Sequence, residues 1–146
     1  MNELKILFSR IIGKPLFRIT SGGGSGSIVV FVIGQKDAVL FIKCAWRLEL
    51  NDKVITSSNE NSKALSGDIP KNISKLIGLF IREVSIGEFY DLKLRFSEGW
   101  SMSIFCDITS QHIFEALDEN WSLCFPDDNI CYTLDKNFKI IKEKYY

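Results

Sequence analysis

The sequence predicts an α+β domain in which an N-terminal helix packs on a bent, mainly antiparallel β-sheet of about eight strands. Three observations predict this class. Apolar residues at helical spacing open the chain, short runs rich in β-branched and aromatic residues follow, and clusters of Gly, Asn, Asp and Ser separate those runs. With 146 residues, of which 46% are hydrophobic and 25% charged, the chain is predicted to form one globular domain, residues 1–146.

The first half supplies the helix and the first strands. Residues 3–13 carry apolar side chains at i, i+3, i+4 and i+7, and Gly13 and Pro15 end this pattern. Residues 22–26 form a glycine-rich loop, and Asn51 and Asp52 favour a tight hairpin turn. The strands predicted in this half cover residues 16–20, 28–33, 38–50 and 54–57.

The second half is predicted to be a β-meander. Residues 57–70 are polar and indicate a long loop, and residues 73–79 fit one helical turn with Asn72 or Ser74 as its cap. The turn Ser97-Glu98-Gly99 joins two strands, and residues 108–120 form a loop or a short helix. The strands predicted here cover residues 80–86, 92–96, 101–107, 121–125 and 130–134.

The charges are distributed unevenly although the net charge is zero. Residues 1–95 hold 14 Lys and Arg against 9 Asp and Glu, whereas residues 96–135 hold 8 acidic residues and no Lys or Arg. The remaining 11 residues hold 4 Lys and 1 Glu. A zero net charge and a pI near 6.6 argue against a nucleic-acid partner, and the lack of ~18 consecutive apolar residues argues against a membrane partner.

The motifs that could carry chemistry are weak. The glycine run over 22–26 precedes a β-branched run, whereas a phosphate loop precedes a helix. His112 is the only histidine, and no nucleophile and orienting group are indicated beside it. We therefore predict no catalytic residues and no cofactor, and we do not expect an enzyme.

The four cysteines are too widely spaced for a zinc site. Successive cysteines are 62, 18 and 7 residues apart, whereas zinc ligands come in close pairs. Each lies in an apolar run, so the sequence favours reduced, buried thiols in the cytoplasm, with three disulfide pairings left open. The N-terminus also lacks the order of a signal peptide. The cysteines are Cys44, Cys106, Cys124 and Cys131.

The acidic residues of 96–135 are the candidate binding site. All eight lie in or beside predicted turns, and consecutive turns of a meander lie near one another. We expect them to form a negative surface at one edge of the sheet, which would attract a basic protein and fix its orientation. The candidate partner-binding residues are Asp107, Glu115, Asp118, Glu119, Asp127 and Asp128.

Four segments occur in an order that resembles a family of small bacterial proteins. They are Ile12-Gly-Lys-Pro-Leu-Phe-Arg18, Ile42-Lys-Cys-Ala-Trp-Arg-Leu48, Asp91-Leu-Lys-Leu-Arg-Phe-Ser-Glu-Gly-Trp100 and Glu119-Asn-Trp-Ser-Leu-Cys-Phe-Pro126. Members of this family look like immunity proteins of polymorphic or contact-dependent toxin systems. The resemblance implies a protein that binds and neutralises a cognate toxin.

The resemblance implies binding without catalytic residues. The expected partner is the toxin's C-terminal domain, a basic protein such as a nuclease whose active site or basic surface would be covered. Trp46 and Trp121 are expected to be core residues, and the departure from the family pattern at 22–26 suggests that this loop varies with the partner. The alternative from the residues themselves is a small enzyme or ligand-binding domain with a pocket in the curved sheet.

Overall fold

The computed structural model describes residues 2–21, 28–59, 68–107 and 119–145. Within these ranges the chain is α+β, with two helices and eleven strands. The helices are α1 (Asn2–Ser9) and α2 (Asp68–Ile73). The strands are β1 (Leu16–Thr20), β2 (Val29–Ile33), β3 (Ala38–Ile42), β4 (Ala45–Leu50), β5 (Lys53–Ser57), β6 (Ile81–Ile86), β7 (Leu92–Phe96), β8 (Trp100–Phe105), β9 (Glu119–Phe125), β10 (Ile130–Asp135) and β11 (Ile140–Lys144).

The strands form two antiparallel sheets rather than the predicted single sheet of about eight strands. One sheet has the order β1-β2-β3-β9-β10-β11 and the other the order β5-β4-β8-β7-β6. The predicted strand over 38–50 is divided at Lys43 and Cys44, so that β3 pairs with β9 and β4 pairs with β8. Alternation of side chains continues through this division because both strands bury their apolar side chains in one core. The pattern therefore did not indicate the change of sheet.

One apolar core joins both sheets and the N-terminal helix. Leu4 and Phe8 of α1 are buried, and the Phe8 ring meets Trp121 of β9 edge to face, with ring centroids 5.3 Å apart. Trp46 of β4 is also buried, so the expectation that Trp46 and Trp121 are core residues is confirmed. The helix is shorter than the predicted 3–13, because residues 10–13 form turns that end at Gly13 with φ 85°.

The predicted turns agree with the structure more closely than the predicted helical turn. Asn51 and Asp52 adopt φ values of 50° and 67° in the β4–β5 hairpin, and Gly99 adopts φ 82° between β7 and β8. The helical turn predicted over 73–79 corresponds to a 3-10 turn over residues 74–76, whereas α2, which begins at residue 68 within the predicted loop, was not predicted. The meander is also divided, since β6–β8 and β9–β11 belong to different sheets.

Some predictions fall wholly or partly outside the described residues. They concern the glycine-rich loop over 22–26, part of the loop over 57–70, most of the segment over 108–120, and His112. Strand β11 was not predicted, because its sequence Ile-Ile-Lys-Glu-Lys lacks the alternation of a half-buried strand and every residue of it is exposed. In the described ranges, no helix is both long enough and apolar enough to span a membrane.

The expectation of reduced thiols is wrong for one pair of cysteines. Cys124 of β9 and Cys131 of β10 lie opposite each other in the strand register and form a disulfide. Cys44 and Cys106 are free. The spacing of seven residues did not distinguish this pairing from the other possibilities, because the pairing depends on the β9–β10 turn bringing the two strands into register.

We expect reduction of the Cys124–Cys131 disulfide to lower the free energy of unfolding by about 2.5 kcal/mol, because the bond closes a loop of eight residues, 124–131, in the unfolded chain. Urea denaturation with and without a phosphine reductant measures the difference. The variant Cys44→Ser, which leaves the disulfide intact, is the control and should show the same loss on reduction. An unchanged unfolding midpoint after complete reduction would contradict this expectation.

Candidate functional site

Asn120 joins the ends of three strands at one end of the molecule. Its side chain is fully buried. The Asp107 N–H donates to Asn120 Oδ1, and Asn120 Nδ2 donates to the carbonyl oxygens of Asp107 and Asp135, each over 3.0 Å. In addition, the Lys43 N–H donates to the Asn120 carbonyl oxygen over 2.9 Å. These bonds fix the backbone at Asp107 and at Asn120, the two ends of the segment over 108–118.

Two of the predicted partner-binding residues lie at this fixed position, which we call the loop base (Asp107, Glu119 and Asn120). Asp107 follows β8, and its side chain is 61% exposed. Glu119 begins β9, and its side chain is 25% exposed. Glu115 and Asp118 belong to the segment between them and lie outside the described residues.

The other two predicted residues lie at the opposite end of β9. Asp127 and Asp128 follow the last residue of that strand, eight and nine residues after Glu119. At about 3.3 Å per residue, Asp127 is on the order of 25 Å from Glu119 along the chain direction. The predicted single acidic edge is therefore wrong, because β8 and β9 belong to different sheets and the acidic turns lie at two ends of the molecule.

Most of the described candidate carboxylates also have a cation of the chain itself as a partner. The Oδ1 atom of Asp107 lies 3.4 Å from Lys136 Nζ, and the Oδ2 atom of Asp128 lies 2.9 Å from Arg10 Nη2. The carboxylate of Glu119 pairs with the ammonium group of Lys43. The Arg10 guanidinium also lies over the Phe125 ring, 3.8 Å from its centroid. Among the described residues Asp127 has no such ion pair. The surface is consequently less negative than the sequence of 96–135 indicates.

A shallow depression adjoins the loop base. It has a volume of about 210 Å³ on the outer face of the six-stranded sheet. The Lys43–Glu119 ion pair lines it together with Thr133 and Glu143, and the Thr133 hydroxyl donates to Glu143 Oε1 over 3.4 Å. The Cys124–Cys131 disulfide lies in the same lining. The depression therefore offers two carboxylates, Glu119 and Glu143, to a basic side chain.

A second polar cluster was missed by the sequence analysis. Glu49 of β4 is almost fully buried on the outer face of the five-stranded sheet, where its Oε1 accepts hydrogen bonds from Lys93 Nζ and Ser103 Oγ, each over 2.8 Å. Ser101 and Arg47 also contact the Glu49 carboxylate, over 3.4 Å and 3.3 Å. The period-two spacing of Arg47 and Glu49, and of Ser101 and Ser103, was the available signal that these pairs share a face.

The surroundings of Glu49 favour its charged form. Burial by itself would raise the pKa of Glu49, but the hydrogen bonds from Lys93 and Ser103 and the positive charges of Lys93 and Arg47 outweigh it and hold this pKa below its ordinary value. Glu49 is therefore ionised at neutral pH. Three strands are joined on this face by the resulting charged hydrogen bonds.

The free cysteine Cys106 is poorly suited to nucleophilic chemistry. A hydrogen bond with Cys44 and burial raise the pKa of the Cys106 thiol far above its usual range, so this thiol stays protonated at neutral pH. In the described part of the chain, no three His, Cys, Asp or Glu side chains are grouped closely enough to hold a metal ion.

Comparison with known proteins identifies no relative. Neither a protein-family model, nor a curated protein, nor a solved structure matches the chain.

We expect Glu49→Gln to lower the free energy of unfolding by about 1–3 kcal/mol at pH 7, because it removes the charged acceptor from a buried network. Since the pKa of Glu49 is lowered in the folded state, its stabilisation is present above the ordinary value of 4.5 and is lost as the pH falls below it. The difference in the free energy of unfolding between the wild type and Glu49→Gln should therefore become smaller at acidic pH. Urea denaturation across this pH range measures it.

The matched control is Glu83→Gln on the same sheet. Glu83 is exposed, and its carboxylate lies 4.0 Å from Arg95. We expect this variant to lower the free energy of unfolding by less than about 1 kcal/mol. Equal losses in the two variants would show that the network around Glu49 adds nothing to an ordinary surface carboxylate.

Proposed function

We propose that this chain is an immunity protein that binds the C-terminal domain of a cognate toxin and covers its active site or its basic surface. The partner is a basic protein, such as a nuclease domain, and the loop base is the centre of the interface. The observation that carries this proposal is that Asp107, an exposed carboxylate, stands on a backbone that Asn120 fixes from both sides.

A fixed backbone favours binding because little conformational freedom is lost when the partner arrives. The Asp107 N–H and carbonyl oxygen both bond to the Asn120 side chain, so the carboxylate is presented from a defined position. Preorganisation of this kind lowers the entropic cost of association. In the sequence, residues 108–118 lie between Asp107 and Glu119 of the loop base, and we include Glu115 and Asp118 of that segment in the proposed interface.

The ion pairs of the chain itself are compatible with exchange for a partner's cation. The Asp107–Lys136 pair is long and its carboxylate is exposed, and such surface pairs contribute at most about 1 kcal/mol. An arginine of the toxin could replace Lys136 with two parallel hydrogen bonds, a geometry that lysine lacks. Glu143 and Glu119, which already pairs with Lys43, line the adjoining depression, where a second basic side chain of the toxin would bind.

The resemblance of the four sequence segments to immunity proteins supports the same proposal. We also propose a cytoplasmic location. The Cys124–Cys131 disulfide is more typical of an oxidising compartment. The oxidation state of this pair in cells, trapped by rapid alkylation, therefore tests the location separately from the partner. Full alkylation of Cys124 and Cys131 would support the cytoplasm and would mean that the disulfide is reduced in cells, whereas a disulfide that persists in cells would contradict this location.

We expect charge reversal at the loop base to weaken toxin binding much more than the same reversal at the other end of β9. Asp107→Lys should lower the affinity for the cognate toxin domain about tenfold or more, mainly through the association rate and most strongly at low salt. Asp127→Lys makes the same change of charge on an exposed carboxylate and should leave the affinity nearly unchanged. A toxin domain encoded next to the gene for this chain would serve as the partner, and surface plasmon resonance would measure the binding.

Protection from the toxin provides the functional readout. Cells that express the toxin domain should grow when the wild-type chain or Asp127→Lys is co-expressed, and growth should be impaired with Asp107→Lys. Thermal melting of each variant separates a binding defect from a folding defect. Protection that is lost with Asp127→Lys and retained with Asp107→Lys would move the interface to the other end of β9, and no protection by the wild type would refute the immunity function.

A further inference from the structure

Four large apolar side chains are exposed where the N-terminal part of the chain meets the residues before β6. Ile12, Phe17, Ile77 and Phe80 are 42%, 53%, 51% and 43% exposed, respectively. We call these four residues the apolar patch. Single exposed apolar side chains are ordinary on protein surfaces, whereas a group of them indicates an interaction surface.

Backbone hydrogen bonds bring the two halves of the patch together. Pro15 and Phe80 are directly opposite each other in an antiparallel bridge. The Leu16 N–H donates to the Leu79 carbonyl oxygen and the Gly78 N–H donates to the Leu16 carbonyl oxygen, each over 2.8 Å. Leu16 and Leu79 are buried, whereas Phe17 and Phe80, which follow them in the chain, are exposed.

The two segments that carry the patch, residues 10–20 and 69–82, are basic and contain no Asp or Glu. Together they hold six Lys and Arg. Two of the six, Arg10 and Lys14, form ion pairs with Asp128 and Asp37. No carboxylate of the described residues forms an ion pair with any of the other four, which are Arg18, Lys71, Lys75 and Arg82. Among the described residues, most cations of these two segments therefore have no carboxylate partner.

One of these cations extends the patch directly. The Arg82 guanidinium lies 5.9 Å from the centroid of the Phe80 ring, within the range of a cation–π interaction. An arginine held beside an exposed aromatic ring presents an apolar contact and a charged hydrogen-bond donor at one position. This combination is enriched in protein interfaces.

We propose that the apolar patch is a second binding surface, and that its occupant is an acidic protein segment in which apolar side chains alternate with Asp or Glu. The apolar side chains would cover the patch, and the carboxylates would pair with Arg18, Lys75 and Arg82. A protein fits better than a nucleic acid because Ile12 and Ile77 have no planar face on which a base could stack. This proposal is independent of the immunity function, which uses the loop base and a partner of opposite charge.

Titration of the isotopically labelled chain with a synthetic peptide tests this proposal. The peptide alternates Leu and Phe with Glu, and a second peptide carries Lys in place of Glu. We expect amide shift changes from the first peptide to cluster in residues 12–18 and 76–82. The Lys peptide should bind at least about tenfold more weakly, and salt should weaken the binding of the Glu peptide.

Matched surface variants localise the binding. Phe80→Ser and Arg82→Glu should each weaken binding of the Glu peptide about tenfold. The controls are Phe89→Ser and Lys53→Glu, which change an exposed phenylalanine and an exposed cation outside the patch and should have no effect on the binding. Absence of binding, shifts outside the two segments, or equal effects of the control variants would overturn the proposal. Tighter binding of an oligothymidylate at the same amides would also overturn it, in favour of a nucleic-acid surface.

Discussion

The buried amide of Asn120 is the constraint on which the arrangement of the two sheets at the loop base depends. Its side chain accepts one backbone hydrogen bond and donates two, and its own carbonyl oxygen accepts a fourth from Lys43. Only an amide side chain supplies an acceptor and two donors at this size. An aspartate would keep the acceptor and lose both donors, and it would bury a charge. The ends of β3, β8 and β10 are thus attached to the second residue of β9.

This attachment matters because the chain changes sheets on both sides of it. β3 continues into β4 of the other sheet, and β8 is followed by β9, which returns to the first sheet. Both changes occur close to Asn120, whose backbone bonds to Lys43 between β3 and β4 and whose side chain bonds to Asp107 after β8. The two sheets therefore share one core and one fixed corner. The proposed interface lies at this corner.

Local patterns in the sequence predicted most elements, and the contacts between distant elements were not predictable from them. The alternation over 38–50 identified the strand, and the Asn51-Asp52 turn identified the hairpin, since both depend on neighbouring residues. The division of that strand between two sheets depends on β9, which lies about 75 residues later in the chain, and no local signal reports it. The prediction of a negative surface from the acidic residues of 96–135 was wrong for the same reason. Glu119, for example, is paired with Lys43, which lies 76 residues away in the chain. Glu49 was missed because its partners come from β7 and β8.

Amide hydrogen exchange in Asn120→Ala tests most directly whether this side chain fixes the loop base. The Asp107 amide loses its acceptor in this variant, whereas the Lys43 amide keeps its acceptor, the backbone carbonyl oxygen of residue 120. We predict that exchange at Asp107 becomes faster by at least about tenfold while Lys43 remains protected, under conditions in which the protein stays folded. Unchanged protection at Asp107, or equal loss at both amides, would contradict the claim that Asn120 acts as a local anchor for the proposed binding site.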